Sequence, residues 1–205
     1  MVAATALLSV ATLVVLGSPC ARAAGLADPR IVGGQAAISL DGEWAATSAD
    51  GHTSISATVP GDIITDLQRA GKIGDPLYEL NWKDPKNVRL WNQSWTFERT
   101  LPAQLSEHAS AGGETLLVFD GIKMGATVKL NGKVLGVATD QFVKYNFSIS
   151  EHLLAHVDAE SGLPLASKLE VSFGAENAVF APCYAEVMII LPTQARDKPR
   201  VNKCG

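Results

Sequence analysis

Two histidines stand at a spacing that could support metal binding. His152 and His156 are four residues apart in Glu151-His152-Leu153-Leu154-Ala155-His156, so a helix would place both imidazoles on one face. The zinc-protease pattern needs a Glu directly after the first His, and Leu153 occupies that position. Because the pattern offers no third ligand, we expect neither a metal site nor a cofactor.

A second pattern concerns nucleophilic catalysis. Cleavage within Arg30-Ile31-Val32-Gly33-Gly34 would free an Ile amine, as in the activation of trypsin-like proteases. The chain lacks the Gly-Asp-Ser-Gly and Ala-Ala-His-Cys segments that would supply the nucleophile and the base, so a serine protease is excluded. The acidic residues are scattered, and a glycosidase pair is defined by its separation in space, so their spacing nominates no catalytic carboxylates.

Aromatic residues are the most informative group in a chain that is only 6% aromatic. A close group comprises Tyr78, Trp82, Trp91, Trp95 and Phe97. Aromatic faces stack on the apolar faces of sugar rings and offer rigid contact area. The alternation of Trp95 and Phe97 predicts that both belong to a core, whereas Trp82 and Trp91 fit a core or a sugar contact equally well.

Short alternating segments predict the strands that must position these residues. Ala126, Val128 and Leu130 share one face of a strand, and Asn131-Gly132 after it is typical of a type I′ hairpin turn. Alternation also predicts strands at residues 95–99, 133–135, 145–149 and 169–173, and the compact apolar run at 116–119 predicts another.

Helical signals are scarce. Asp62 can cap a helix over Ile63 to Ala70 that Gly71 ends, and a short helical turn is plausible at Ser150 to His156. The pattern therefore predicts an all-β fold, an antiparallel β-sandwich of jelly-roll or immunoglobulin-like type, with one short helix insertion.

The first residues indicate export. Residues 3–16 form a small and apolar run that is too short to cross a bilayer but is typical of a signal peptide. Ala21-Arg22-Ala23 predicts cleavage after Ala23; an uncleaved signal anchor is the alternative, because no Lys or Arg precedes the run. No later segment is apolar enough to span a membrane.

Cleavage would leave two cysteines and two sequons in the secretory pathway, in a secreted or lysosomal protein. Cys183 and Cys204 can form one disulfide there. Asn92-Gln93-Ser94 and Asn146-Phe147-Ser148 predict N-glycans at Asn92 and Asn146.

Length and charge bound the remaining choices. The 205 residues fit one domain and a short appendage, and are too few for a (β/α)₈ barrel. A formal net charge of −4 gives no footprint for nucleic acid. We expect a signal peptide at 1–23, a linker at 24–37, the sandwich at 38–178 and a divergent basic tail at 179–205.

Five segments in order resemble the N-terminal jelly roll of a β-mannosidase of glycoside hydrolase family 2, a galactose-binding-like domain. They are Leu40-Asp41-Gly42-Glu43-Trp44, Val59-Pro60-Gly61-Asp62-Ile63, residues 71–82, residues 92–99 and residues 119–133, and the likeness continues at 139–145. Lys123 departs from the family, which commonly has an acidic residue there. The resemblance covers about residues 38–176.

The resemblance implies a domain that lies beside a catalytic barrel and contacts sugar or that barrel. The parent reaction is hydrolysis of terminal non-reducing β-D-mannose residues, and both catalytic Glu residues of the family lie on the barrel, so none is assigned here. The candidate sugar-contact or interdomain residues are Tyr78, Asn81, Trp82 and Trp91. The implied partners are mannosides or a catalytic domain; a stand-alone lectin-like module and a structural or interaction sandwich are the alternatives.

Overall fold

A computed structural model describes residues 30–32, 35–174 and 187–191, which form two antiparallel sheets. The five-stranded sheet has the order β1 (Arg30–Val32), β2 (Gln35–Ser39), β11 (Val187–Leu191), β6 (Leu116–Phe119) and β9 (Tyr145–Ser148). The six-stranded sheet has the order β4 (Ser54–Val59), β3 (Gly42–Ser48), β5 (Trp95–Thr100), β10 (Lys168–Phe173), β7 (Thr127–Leu130) and β8 (Lys133–Val137). The helices are α1 (Ile63–Arg69), α2 (Pro85–Trp91), α3 (Gln104–Ser110) and α4 (Ser150–Leu154), with a 3₁₀ turn at Asn81–Lys83.

The core lies between the two sheets, as the alternating segments predict. In β4, β7 and β10, every second side chain is buried, because successive side chains of a strand point to opposite faces. Phe97 of β5 and Phe173 of β10 meet edge to face with ring centroids 5.7 Å apart. The predicted antiparallel β-sandwich is confirmed.

The predicted Asn131-Gly132 turn joins β7 to β8. Leu130 pairs with Lys133, which leaves the two turn residues between the strands. Their φ angles are 51° and 77°, both in the left-handed region that a type I′ turn requires and that Asn and Gly tolerate best.

The sandwich extends past both predicted limits. Strand β1 and most of β2 fall in the predicted linker at 24–37, and β11 falls in the predicted tail at 179–205. Strand β11 is a central strand that pairs with β2 on one side and β6 on the other, and Val187 and Ile189 are fully buried. Described strands therefore lie on both sides of the range 38–178; residues 1–29 lie outside the described part of the chain.

The five-stranded sheet is apolar on both faces. Leu117, Phe119 and Ile189 belong to the main core, whereas Val118 and Met188, one residue along the same strands, form a second buried cluster with Ala37. Burial on both faces explains why β6 and β11 are continuous apolar runs without alternation.

The described residues form four short helices, more than the single helix insertion that the sequence predicts. Helix α1 is confirmed, with Asp62 Oδ1 accepting the Thr65 N–H at 2.8 Å, and α4 forms within the predicted turn at 150–156. Helices α2 and α3 were not predicted, although Asp84 and Pro85 at the start of α2 are typical of the first residues of a helix.

Candidate functional site

The surface that stands out is the 75–84 loop, which we define as Asp75 to Asp84, in the connection from β4 to β5. Helix α1 before the loop packs on β4, and α2 after it packs on α1 and on the 3₁₀ turn. Both helices are anchored in the core, α1 through Ile63 and Leu67 and α2 through Trp91. The loop is therefore held at both ends by the sandwich.

Large apolar side chains of this loop face solvent. Leu77 is 90% exposed and Trp82 54%, and Tyr78 and Leu80 are exposed between them. Burying one large apolar side chain is worth about 1.5–3 kcal/mol, so this group favours contact with another surface.

Polar contacts inside the loop fix its backbone. Asp75 accepts the Leu77 N–H through its side chain at 2.9 Å, and its carbonyl accepts Asn81 Nδ2–H at 2.8 Å. Asn87 Nδ2 donates in turn to the Asn81 carbonyl at 2.9 Å. Glu79 takes a φ of 49°, which turns the chain between Tyr78 and Leu80. The apolar side chains thus project from a fixed turn.

The four predicted contact residues lie in different environments. Tyr78 and Trp82 are exposed, and Lys83 Nζ lies 4.5 Å from the centroid of the Trp82 ring, a cation–π contact that covers one face of the indole. Asn81 uses its amide within the loop. Trp91 is only 6% exposed because α2 directs it into the core, which corresponds to the core alternative for this residue.

Sequence reasoning missed two residues of this surface. Leu77 and Leu80 lie beside the aromatic residues of the loop but are not among the residues that the aromatic pattern indicates. Their signal is present: both are apolar, yet they lie in a stretch with neither helical nor strand period, where no core face is available.

A second, polar surface covers the outer face of the six-stranded sheet. A cleft of about 770 Å³ lies over β3, β4 and β5 and is lined by Glu43, Trp44, Ala45, Ser54, Ile55, Ser56, Glu98, Arg99 and Thr100. Ser56 Oγ donates to Glu43 at 2.8 Å, and Lys168 Nζ donates to Glu98 at 2.9 Å. Hydrogen bonds to Glu170 and Glu98 raise the pKa of Lys168 above its ordinary value. These carboxylates are paired with neighbours across the strands.

Arg99 at the rim of this cleft has a structural role. Its Nη1 donates to the backbone carbonyls of Leu40 at 2.7 Å and Asp41 at 3.0 Å, which fixes the connection from β2 to β3. Burial lowers the pKa of the guanidinium group, with the Asp41 carboxylate acting in the opposite direction. Asp41 Oδ1 also accepts the Val187 N–H, so the same connection holds the start of β11.

The remaining candidate residues are placed as follows. Helix α4 ends at Leu154, so His156 lies beyond the helix and does not share a helical face with His152. Among the described residues, no group of three or more His, Cys, Asp or Glu side chains could hold a metal ion. Asn92 and Asn146 have exposed side chains. Cys183 and Cys204 lie outside the described residues.

One observation bears on membranes. Within the described ranges, every helix is too short or too polar to cross a bilayer.

Comparison with known proteins agrees with the fold. The family described as "Glycosyl hydrolase 2 galactose-binding domain-like" matches residues 44–188. The β-mannosidase of Bos taurus is 33% identical over 70% of this chain and 15% of its own length. The β-mannosidase of Mus musculus is 31% identical over 55% of this chain and 12% of its own length.

A solved structure supports the same architecture. The β-D-mannosidase of Dictyoglomus thermophilum superposes with a TM-score of 0.59 at 17% identity, over 75% of this chain and 22% of that one. The matched region is thus a small part of each relative's length.

Proposed function

This chain belongs to the glycosyl hydrolase 2 galactose-binding domain-like family, and from that premise we propose that it is the N-terminal, non-catalytic domain of a β-mannosidase-type enzyme. The parent reaction is the release of terminal non-reducing β-D-mannose. In this proposal the 75–84 loop packs against the catalytic domain and places Tyr78 and Trp82 near its sugar site.

The observation that carries the proposal is the fixed, apolar 75–84 loop. A protein that exposes Leu77, Tyr78, Leu80 and Trp82 together leaves area uncovered that a neighbouring domain would bury. The internal hydrogen bonds of Asp75 and Asn81 pre-order the loop, so docking costs little conformational entropy.

A chimera tests the interdomain role. Residues 30–191 replace the matching N-terminal segment of Bos taurus β-mannosidase, and turnover of a chromogenic β-mannoside is measured. We expect an active chimera whose activity is lost at lower temperature after Leu77→Ser and Leu80→Ser. Phe142→Ser is the matched control, because Phe142 is equally exposed but lies in another loop. Equal thermal inactivation of all the chimeras would contradict docking through this loop.

The half-exposed indole of Trp82 favours a second candidate, a lectin-like module that binds mannosides by itself. Calorimetry of this chain with mannose and manno-oligosaccharides tests it. Heat that saturates and disappears in Trp82→Ala, with Leu77→Ala as the control, would favour the lectin; a flat titration at millimolar sugar removes it.

We further propose that the chain is exported, with cleavage after Ala23, and is secreted or lysosomal. The apolar run at 3–16 and the two sequons support this, and export would allow Cys183 and Cys204 to form a disulfide. N-terminal sequencing of protein secreted by cultured cells tests the cleavage site, and mass spectrometry of the non-reduced peptides tests the disulfide.

A further inference from the structure

One side of the sandwich carries two open strand edges. Strand β8 is the last strand of the six-stranded sheet and β9 the last of the five-stranded sheet, and within the described residues each pairs on one side alone. The two strands overlie each other: a Cβ built on Gly136 of β8 would lie 2.7 Å from Phe147 of β9. Both edges therefore open on the same side of the molecule.

Apolar side chains surround these open edges. Val134 and Val137 of β8 are exposed, and Phe142 in the connection to β9 is 85% exposed. That connection is fixed, because the Tyr145 hydroxyl donates to the Asp140 carbonyl at 2.8 Å and accepts the Thr139 N–H at 2.9 Å. Unpaired strand edges beside exposed apolar groups are templates for association with other chains.

Asn146 lies in the middle of this edge. It follows Tyr145 in β9, pairs with Val118 of β6, and has an exposed side chain, whereas its neighbour Phe147 points into the sandwich. Asn146-Phe147-Ser148 is a sequon, so the residue that a glycan could modify stands at the open edge. The other sequon differs: Asn92 precedes β5, a strand paired on both sides.

We propose that an N-linked glycan on Asn146 covers the β8–β9 edge and keeps the protein from associating through it. The modification transfers an oligosaccharide from a lipid diphosphate donor: Asn146 Nδ2 bonds to the anomeric carbon, the lipid diphosphate leaves, and the amide loses one proton. The hydrated sugars then occupy the space that an added strand would need. This inference rests on the proposed export, since the donor is found in the secretory pathway.

The test uses the full chain secreted from cultured mammalian cells, with Asn146→Gln as the main variant and Asn92→Gln as the matched control. Intact mass before and after enzymatic removal of N-glycans reports occupancy, and sedimentation velocity at several concentrations reports association. We expect Asn146→Gln to lose one glycan and to form larger species as concentration rises, while Asn92→Gln stays monomeric. Circular dichroism checks that both variants remain folded.

A second variant separates association through the edge from partial unfolding. Adding Val134→Lys and Phe142→Ser to Asn146→Gln should restore the monomer, because a charge and a polar group then replace apolar contacts at the edge. An unmodified Asn146 in secreted protein, or a monomeric Asn146→Gln at every concentration, would overturn the inference and leave the proposed function intact. Retention in the cell with the leader uncleaved and no glycan would overturn both this inference and the proposed export.

Discussion

Arg99 shows how one half-buried cation fixes a connection that two strands depend on. Replacement by Met keeps the length of the side chain but leaves the Leu40 and Asp41 carbonyls without this donor. Hydrogen bonds from a charged group contribute about 1.5–3 kcal/mol, so Arg99→Met should lower the free energy of unfolding by about 2 kcal/mol in urea titrations. Lys168→Met is the control: its exposed ion pairs should contribute about 0–1 kcal/mol. Equal losses in the two variants would contradict the role of Arg99.

Asp66 joins α1 to β4 through a buried carboxylate. It accepts the Thr58 N–H and an N–H of Arg69, yet desolvation dominates and raises its pKa above its ordinary value of 3.8. A raised folded-state pKa means that its contribution to stability is fully present below pH 3.8 and is lost as pH rises through the folded-state pKa. We expect the stability of the wild type relative to Asp66→Asn to fall as pH rises above 3.8 through the raised folded-state pKa, as measured in urea titrations.

The pKa of Asp158 is shifted in the opposite direction from that of Asp66, so Asp158 serves as its control. Hydrogen bonds from the Ser161 hydroxyl and backbone N–H lower the pKa of Asp158 below its ordinary value of 3.8. Its contribution is present above pH 3.8 and is lost as pH falls through the lowered value. The stability of the wild type relative to Asp158→Asn should therefore fall on acidification. The same trend with pH for both variants would contradict the assignment.

At the level of elements, β11 is a strand that the sequence analysis does not predict. Its central position in the sheet depends on pairing with β2 and β6, which lie some 150 and 70 residues earlier in the chain. The residues next to β11 in the sequence do not indicate pairing over such distances. Ile189→Ala should cost about 2–5 kcal/mol, the usual cost of emptying a fully buried aliphatic site. Val134→Ala on the exposed face of β8 should change stability by less than about 0.5 kcal/mol. Urea titrations measure the free energy of unfolding of both variants. If Ile189→Ala lost as little stability as Val134→Ala, β11 would not be part of the core.

The contrast among elements explains how far the sequence could predict this fold. Strands such as β7 and β10 have one buried face, so alternation identifies them, and Asn131-Gly132 fixes a turn by its backbone preference alone. Strand β11 is buried on both faces, and its apolar run lacks that signal. Trp91 shows a similar limit at the candidate site: whether it is buried depends on α2, a helix that the sequence analysis does not predict.

At the scale of the whole molecule, the distribution of surfaces is consistent with the proposed role beside a catalytic domain. The outer face of the six-stranded sheet is polar and its charges are paired, whereas the 75–84 loop is apolar and exposed. Apolar exposure is thus concentrated in loops and edges that the sandwich itself does not cover. This arrangement supports the proposal that the domain lies beside a catalytic neighbour, and under that proposal we expect the domain alone to be inactive.

The corresponding prediction concerns turnover by this chain in isolation. Glycoside hydrolysis needs two carboxylates about 5–9.5 Å apart that are free to act as acid and nucleophile or base. In the described residues, Glu43 is held by Ser56, Glu98 by Lys168, and Asp66 by Arg69, so these carboxylates serve the sheet and its helix. The purified chain should release no phenol from a chromogenic β-mannoside above the buffer blank, assayed at pH 4 to 7 beside Bos taurus β-mannosidase. Activity that follows this protein through size-exclusion chromatography would contradict its assignment as a non-catalytic domain.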